Sequence, residues 1–162
     1  MKHITSTLVR KTFLGKINCN RFSPLLSCRF GTNTRKWPST AIIGIGQMGA
    51  AVASNLLRNK VPVILFDIEG DKNIPEPLKP LLQNVSWASS ACEAAEKSEV
   101  VITALPRPEH VTAAFSGDNG ILNGLKPGAT WIEHSTTDFE NTNKIKELVE
   151  SKNIEYVENR CT

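Results

Sequence analysis

No stretch of this 162-residue chain stays apolar for the roughly 20 positions that a bilayer-spanning helix needs, which excludes such a helix. The four cysteines, Cys19, Cys28, Cys92 and Cys161, form no Cys-x-x-Cys pair and have no histidine nearby at ligand spacing. Neither a disulfide framework nor a zinc site follows. Residues 1–36 lack acidic side chains altogether while carrying eight Lys or Arg, and they also lack the unbroken apolar core of a secretory signal. An Arg-rich, hydroxyl-rich, acid-free segment has the composition of a mitochondrial presequence. Leu8, Phe13, Leu14 and Ile17 would form the apolar face of its helix, cleavage would fall between Phe30 and Trp37, and the destination would be the mitochondrial matrix. The alternative is a basic arm that binds phosphate or acidic surfaces.

Set apart from that leader, residues 37–162 hold eleven basic against sixteen acidic residues, a balance of −5. An acidic body argues against nucleic acid as the main partner. Its length suits one domain with a real core, and 40% apolar with 22% charged residues is an ordinary globular composition.

From Trp37-Pro38-Ser39 onward, strands and helices alternate. Thr40 to Gly44 is a short apolar run read as a buried strand. Met48, Ala51, Val52, Asn55 and Leu56 recur at helical spacing between Gln47 and Asn59. Pro62 to Phe66 is a second strand. Pro75, Pro77 and Pro80 forbid a long helix over 71–84 and predict a loop with one late helical turn. A weak strand follows near Val85-Ser86-Trp87. Ser90-Ala91-Cys92-Glu93 is a capping box opening a short helix to Lys97. Glu99 to Ala104 reads as a strand, and Pro108 starts a helix that buries Val111, Ala114 and Phe115. Lys126-Pro127-Gly128 turns into a strand, Ala129 to Glu133. Thr137 and Glu140 form a further capping box, opening a helix with Ile145, Leu148 and Val149 inward, and a last strand starts at Ile154. Strands that are apolar throughout, alternating with helices, indicate a parallel sheet covered on both faces. The expected class is α/β, a Rossmann-type doubly wound, mostly parallel sheet.

Gly44-Ile45-Gly46-Gln47-Met48-Gly49 fits G-x-G-x-x-G between a predicted strand and a predicted helix. Gly44 permits the tight turn, Gly46 lets a pyrophosphate approach the backbone, and Gly49 lets helix and strand pack closely. The helix amides at Gln47 and Met48, with the positive end of the dipole, would hold the phosphates. Asp67, eighteen residues beyond Gly49 at the end of the second strand, is placed to accept from both adenine-ribose hydroxyls. It would repel a 2′-phosphate, favouring NAD over NADP.

The run Ile42 to Leu56 resembles the opening signature of the β-hydroxyacid dehydrogenases. Val100 to Pro106 is similar to that family's strand ending in Leu-Pro. Asp118 to Leu122, followed by Trp131-Ile132-Glu133-His134-Ser135-Thr136, resembles the stretch leading to its Asp-x-Ser-Thr motif. The resemblance implies NAD-linked oxidation of a small hydroxy acid, 3-hydroxyisobutyrate, to methylmalonate semialdehyde in valine breakdown. It implies that Leu105 and Pro106 contact the cofactor, that Thr136 hydrogen-bonds near the nicotinamide, and that Ser135 reaches the substrate carboxylate. Glu133 departs from the family's Asp, and His110 stands where relatives carry Asn; a lone helical His is more often solvated or hydrogen-bonded than catalytic, and no role is assigned to it. The proline-studded segment replaces a helix and is expected to loosen the adenine side.

In the family a Gly-rich substrate loop follows the last strand, then a helical domain with the catalytic Lys and much of a homo-oligomer interface. Glu158 to Thr162 does not match that loop, and no Lys here matches that motif. No catalytic residue is therefore assigned. Two expectations result: an N-terminal, cofactor-binding portion of such a dehydrogenase, or a non-catalytic NAD-binding module. A related semialdehyde reductase using NADP is a third. No metal or membrane partner is implied.

Overall fold

A computed structural model describes residues 36–135 and 139–158. The basic segment up to Arg35, residues 136–138 with Thr136 and the capping-box Thr137, and residues 159–162 lie outside the described residues.

The apolar runs become six short strands: β1 (Thr40–Ile43), β2 (Val63–Phe66), β3 (Ser86–Trp87), β4 (Val100–Thr103), β5 (Thr130–Glu133) and β6 (Glu155–Glu158). All pair in parallel in the order β3-β2-β1-β4-β5-β6. That order is the doubly wound dinucleotide-binding arrangement, and its topological switch lies between β1 and β4. Helices α1 (Gln47–Arg58), α2 (Ala91–Glu96), α3 (Pro108–Phe115), α4 (Ile121–Gly124) and α5 (Phe139–Ser151) connect the strands, with a 3-10 helix over Lys79–Asn84 before β3.

Alternation along the strands divides the core in two. Ala41, Ile43 and Val101 pack with α2 to α5 around fully buried Trp131, which stacks on Phe115 at 5.3 Å and meets Tyr156 edge-on at 5.2 Å. Ile42, Leu65 and Ile102 face α1 and the proline-rich segment on the other side.

Three local readings need correction. In α1 the buried residues are Gly49, Ala50, Ala53 and Ser54, while Met48 is 45% exposed. The helix lies so close to β1 that only small side chains fit between them. In α5, Ile145 and Val149 are buried but Leu148 is 49% exposed, because buried Thr142 completes the inward stripe on the other side. The proline-rich segment is not loose: its late turn is the 3-10 helix, and Ile74 and Leu78 are buried in the core. Helix α4 had no periodicity to announce it, being four residues long. It packs on α2 so closely that a Cβ on Gly124 would lie 2.1 Å from the Cys92 carbonyl oxygen.

Candidate dinucleotide cleft

A cleft of about 1140 Å³ opens at the carboxyl ends of β2, β1 and β4, across the switch point. Its floor is the turn between β1 and α1. Gly44 has φ +90°, and a Cβ there would lie 2.6 Å from the Ala104 carbonyl oxygen. Gly49 does not line the cleft; a Cβ on it would come within 1.9 Å of the Gly44 oxygen, so it is the helix–strand contact that requires this glycine. Gly46 differs from both. A Cβ on it would meet no protein atom within 4 Å, and the residue lines the cleft. The space next to its backbone is therefore left open toward whatever the cleft holds.

Gly46 is the N-cap of α1 and offers no side chain to the first amides; the first turn contains no acid. Amides at a helix start lack intrahelical partners and carry the positive end of the dipole, so this end suits an anion. Asp67 closes the other side. Its Oδ2 accepts from the Ile45 amide at 2.7 Å and its Oδ1 from the Glu69 amide at 2.9 Å. The carboxylate ties the glycine turn to the end of β2, and each oxygen keeps acceptor capacity for a ligand hydroxyl. Gln47, Met48 and Asp67 all line the cleft, with Ile68, 89% exposed, beside them.

On the far side of the switch point, Leu105 and Pro106 line the cleft where β4 ends. Ser135 does not. Its Oγ accepts from the Leu105 amide at 2.7 Å, and its own amide donates to Glu133 Oε1 at 2.7 Å. Glu133 is fully buried at the end of β5, and its Oε2 has no hydrogen-bond partner among the described residues. Burial pushes this carboxyl above the ordinary range, against the opposing pull of the Ser135 hydroxyl and amide.

The sequence reading missed several lining residues. His134 follows β5 directly, and its place just past a strand's carboxyl end was the available signal. His110, to which the sequence assigned no role, is exposed and lines the cleft from α3. Ser89, Ser90 and the Ser116–Asn119 turn also contribute, and no periodicity marks them. The Ser90 hydroxyl does cap α2, accepting from the Glu93 amide at 3.0 Å, but Glu93 reaches back to the Ser89 amide, one residue beyond the expected box. Among the described lining residues there is no Lys or Arg.

The residues present fit a dinucleotide: an open cradle at Gly46, an uncapped helix start, and a carboxylate at the end of the neighbouring strand. Residues 39–159 match the family described as the NAD binding domain of 6-phosphogluconate dehydrogenase. The chain is 37% identical over 108 residues to the mitochondrial 3-hydroxyisobutyrate dehydrogenase of Mus musculus, covering 67% of this chain and 31% of that protein. It is 35% identical over 127 residues to the probable mitochondrial enzyme of Arabidopsis thaliana, covering 75% and 35%. The chain thus spans about a third of the length of these relatives. Among solved structures, Mycobacterium tuberculosis 3-hydroxyisobutyrate dehydrogenase with L-serine superposes with a TM-score of 0.63 at 27% identity, over 75% of this chain and 40% of that one. With the strand order, the glycine turn and these matches in agreement, the chain belongs to the family of the NAD-binding domain of 6-phosphogluconate dehydrogenase.

Proposed function

We propose that this chain is the cofactor-holding portion of an NAD-dependent β-hydroxyacid dehydrogenase whose substrate is 3-hydroxyisobutyrate, acting in valine breakdown in the mitochondrial matrix. The observation that carries the reading is the open space at Gly46 flanked by the α1 amino end and Asp67. In this reading Gly44, Gly46, Gln47 and Met48 receive the pyrophosphate, and Gly49 keeps α1 against β1. Asp67 takes the adenine ribose, Leu105 and Pro106 border the nicotinamide half, and by the family resemblance Thr136 would hydrogen-bond near that end. Bound there, NAD supplies the hydride acceptor for alcohol oxidation.

NAD is favoured over NADP because a 2′-phosphate would face Asp67 and Glu69 with no Lys or Arg among the described lining residues. Residues 1–36 would serve as the import signal, in keeping with relatives named as mitochondrial. Ser135 supports the Leu105 backbone as an acceptor, so any role toward a substrate carboxylate would use its hydroxyl proton as donor. The acid–base Lys of the family resemblance has no counterpart in this chain, and the polypeptide is expected to bind cofactor without turnover. The longer protein would form the homo-oligomer.

The test is a fluorescence titration of the full chain with NADH and NADPH. NADH is expected to bind at least tenfold more tightly than NADPH, and Asp67→Ala to weaken NADH. Absence of NADH binding, or tighter binding of NADPH, overturns the cofactor assignment. Oxidation of 3-hydroxyisobutyrate by this chain alone would overturn the expectation of no turnover.

A further inference from the structure

Glu133 is a long acidic side chain with no exposure to solvent, placed behind the cleft and not in it. Burying a carboxyl with one oxygen unpartnered among the described residues is costly, and an apolar residue of similar size would normally be more favourable there. What the side chain does make is specific. Its Oε1 receives the Ser135 amide at 2.7 Å, and Ser135 Oγ receives the Leu105 amide at 2.7 Å. The β5 end is thereby tied to the β4 end through two short bonds, 28 residues apart in sequence at their origins. Backbone pairing adds a third tie, His134 N to the Thr103 oxygen at 2.9 Å. Leu105, whose amide is the donor at the far end of this chain of bonds, lines the cleft.

The strand order says which part of a ligand this affects. Asp67 at β2 and the glycine turn at β1 take one nucleotide and the pyrophosphate, so the remaining half lies over β4 and β5. We propose that Glu133 is a positioning residue for the nicotinamide half of the cofactor, holding the Leu105–Pro106 backbone in place through Ser135. This rests on the dinucleotide reading above. The role needs an acceptor at Oε1 and not a negative charge, so a neutral amide can fulfil it. It also leaves the adenosine half untouched, because Asp67 and the glycine turn share no hydrogen bond with this network.

The test compares two probes on the full chain, ADP-ribose and NADH, with thermal melting as a control for folding. Glu133→Leu is expected to weaken NADH about tenfold while ADP-ribose changes less than twofold. Glu133→Gln, which keeps the Oε1 acceptor, is expected to restore NADH binding to within threefold of the parent. Equal loss for both probes in Glu133→Leu would mean a general structural role and overturns the proposal, as does no loss for either. Failure of the Gln variant to restore binding also overturns it. Should Glu133→Leu not fold, Ser135→Ala decides: it removes the Leu105 partner and must weaken NADH selectively. A parent chain that binds neither probe refutes the dinucleotide reading itself, and that outcome is distinct from binding of ADP-ribose with no selectivity among variants.

Discussion

The two halves of the cleft are built by different means. On the β1–β2 side the chemistry is in the backbone: an N-cap with no side chain, amides at a helix start, glycines at two close approaches, and one carboxylate at a strand end. On the β4–β5 side the backbone is held by side chains: Ser135, its amide held by Glu133, reaches across from the β5 end to the Leu105 amide. Backbone solutions impose glycine at fixed spacing, so they leave a mark in the sequence. A side-chain relay can be assembled from ordinary residues far apart in the chain, and it leaves almost none.

The contrast is most severely tested at the glycines. Gly49→Ala places a Cβ 1.9 Å from a backbone oxygen, where no flexible side chain can yield. Overpacking typically costs ~1–3 kcal/mol, and a backbone clash this close is expected to exceed that range, so differential scanning fluorimetry is expected to show loss of the cooperative transition or a drop well beyond about 5 °C. Gly46→Ala meets no protein atom, so its melting temperature is expected to stay within about 2 °C while NADH affinity falls about tenfold or more, since only the ligand meets the new methyl group. If both variants melt alike, the separation of packing glycine from ligand glycine fails.

Next in size is Asp67→Ala, which leaves the Ile45 and Glu69 amides without their acceptor. A lost hydrogen bond to a charged group costs about 1.5–3 kcal/mol. Unlike Gly46→Ala, this variant is expected to lose both stability and NADH affinity, measurable by denaturant unfolding and fluorescence titration.

A smaller effect is expected from pH. Burial holds the Glu133 carboxyl above its ordinary value of 4.5, with His134 acting weakly in the opposite sense. A raised folded-state value means that its contribution to stability is full below about pH 4.5 and declines as pH rises through the folded-state value. Glu133→Gln cannot ionise. Its stability relative to the parent is therefore expected to improve as pH is raised from 4.5 upward, and a constant difference in unfolding free energy would contradict this.

The smallest effect belongs to the exposed Glu93. Hydrogen bonds from Lys97 and Ser89 lower its carboxyl to about 2. Any stability it contributes is present above about pH 4.5 and is lost as pH falls toward 2. Glu93→Gln is expected to leave cofactor affinity unchanged and to alter only the acid limb of the unfolding profile, slightly, because exposed ion pairs are screened by solvent.

Much of the fold was legible because its signals are local. Val-Ile-Leu-Phe at 63–66 and Val-Val-Ile-Thr at 100–103 have to be buried on both faces, and the prolines of 75–80 forbid a regular helix. Apolar spacing marked α1 as a helix, and Val52 and Leu56 do pack against the core, but its most deeply buried residues, Gly49, Ala50, Ala53 and Ser54, are selected by contact distance and not by hydrophobicity. Leu148 was misplaced for a related reason, since a buried threonine took the position that hydrophobicity alone assigns to leucine. Gly44, Gly46, Gln47, Met48 and Asp67, expected from motif and strand-end position, and Leu105 and Pro106, expected from the family resemblance, all line the cleft. His134, His110 and the Ser89–Ser90 and Ser116–Asn119 segments have no spacing rule that brings them together.

The sequence by itself determined that strands and helices alternate, that a glycine turn joins the first pair, and that an acid ends the second strand, because each depends on a few neighbouring residues. Only the tertiary structure decided that Gly46 faces open space while Gly49 is locked against Gly44, and that Asp67 already grips the Ile45 amide. It also decided that a buried glutamate ties two strand ends together. These are distances between residues remote in the chain, fixed when β4 and β5 come to lie beside β1, and no local preference encodes them.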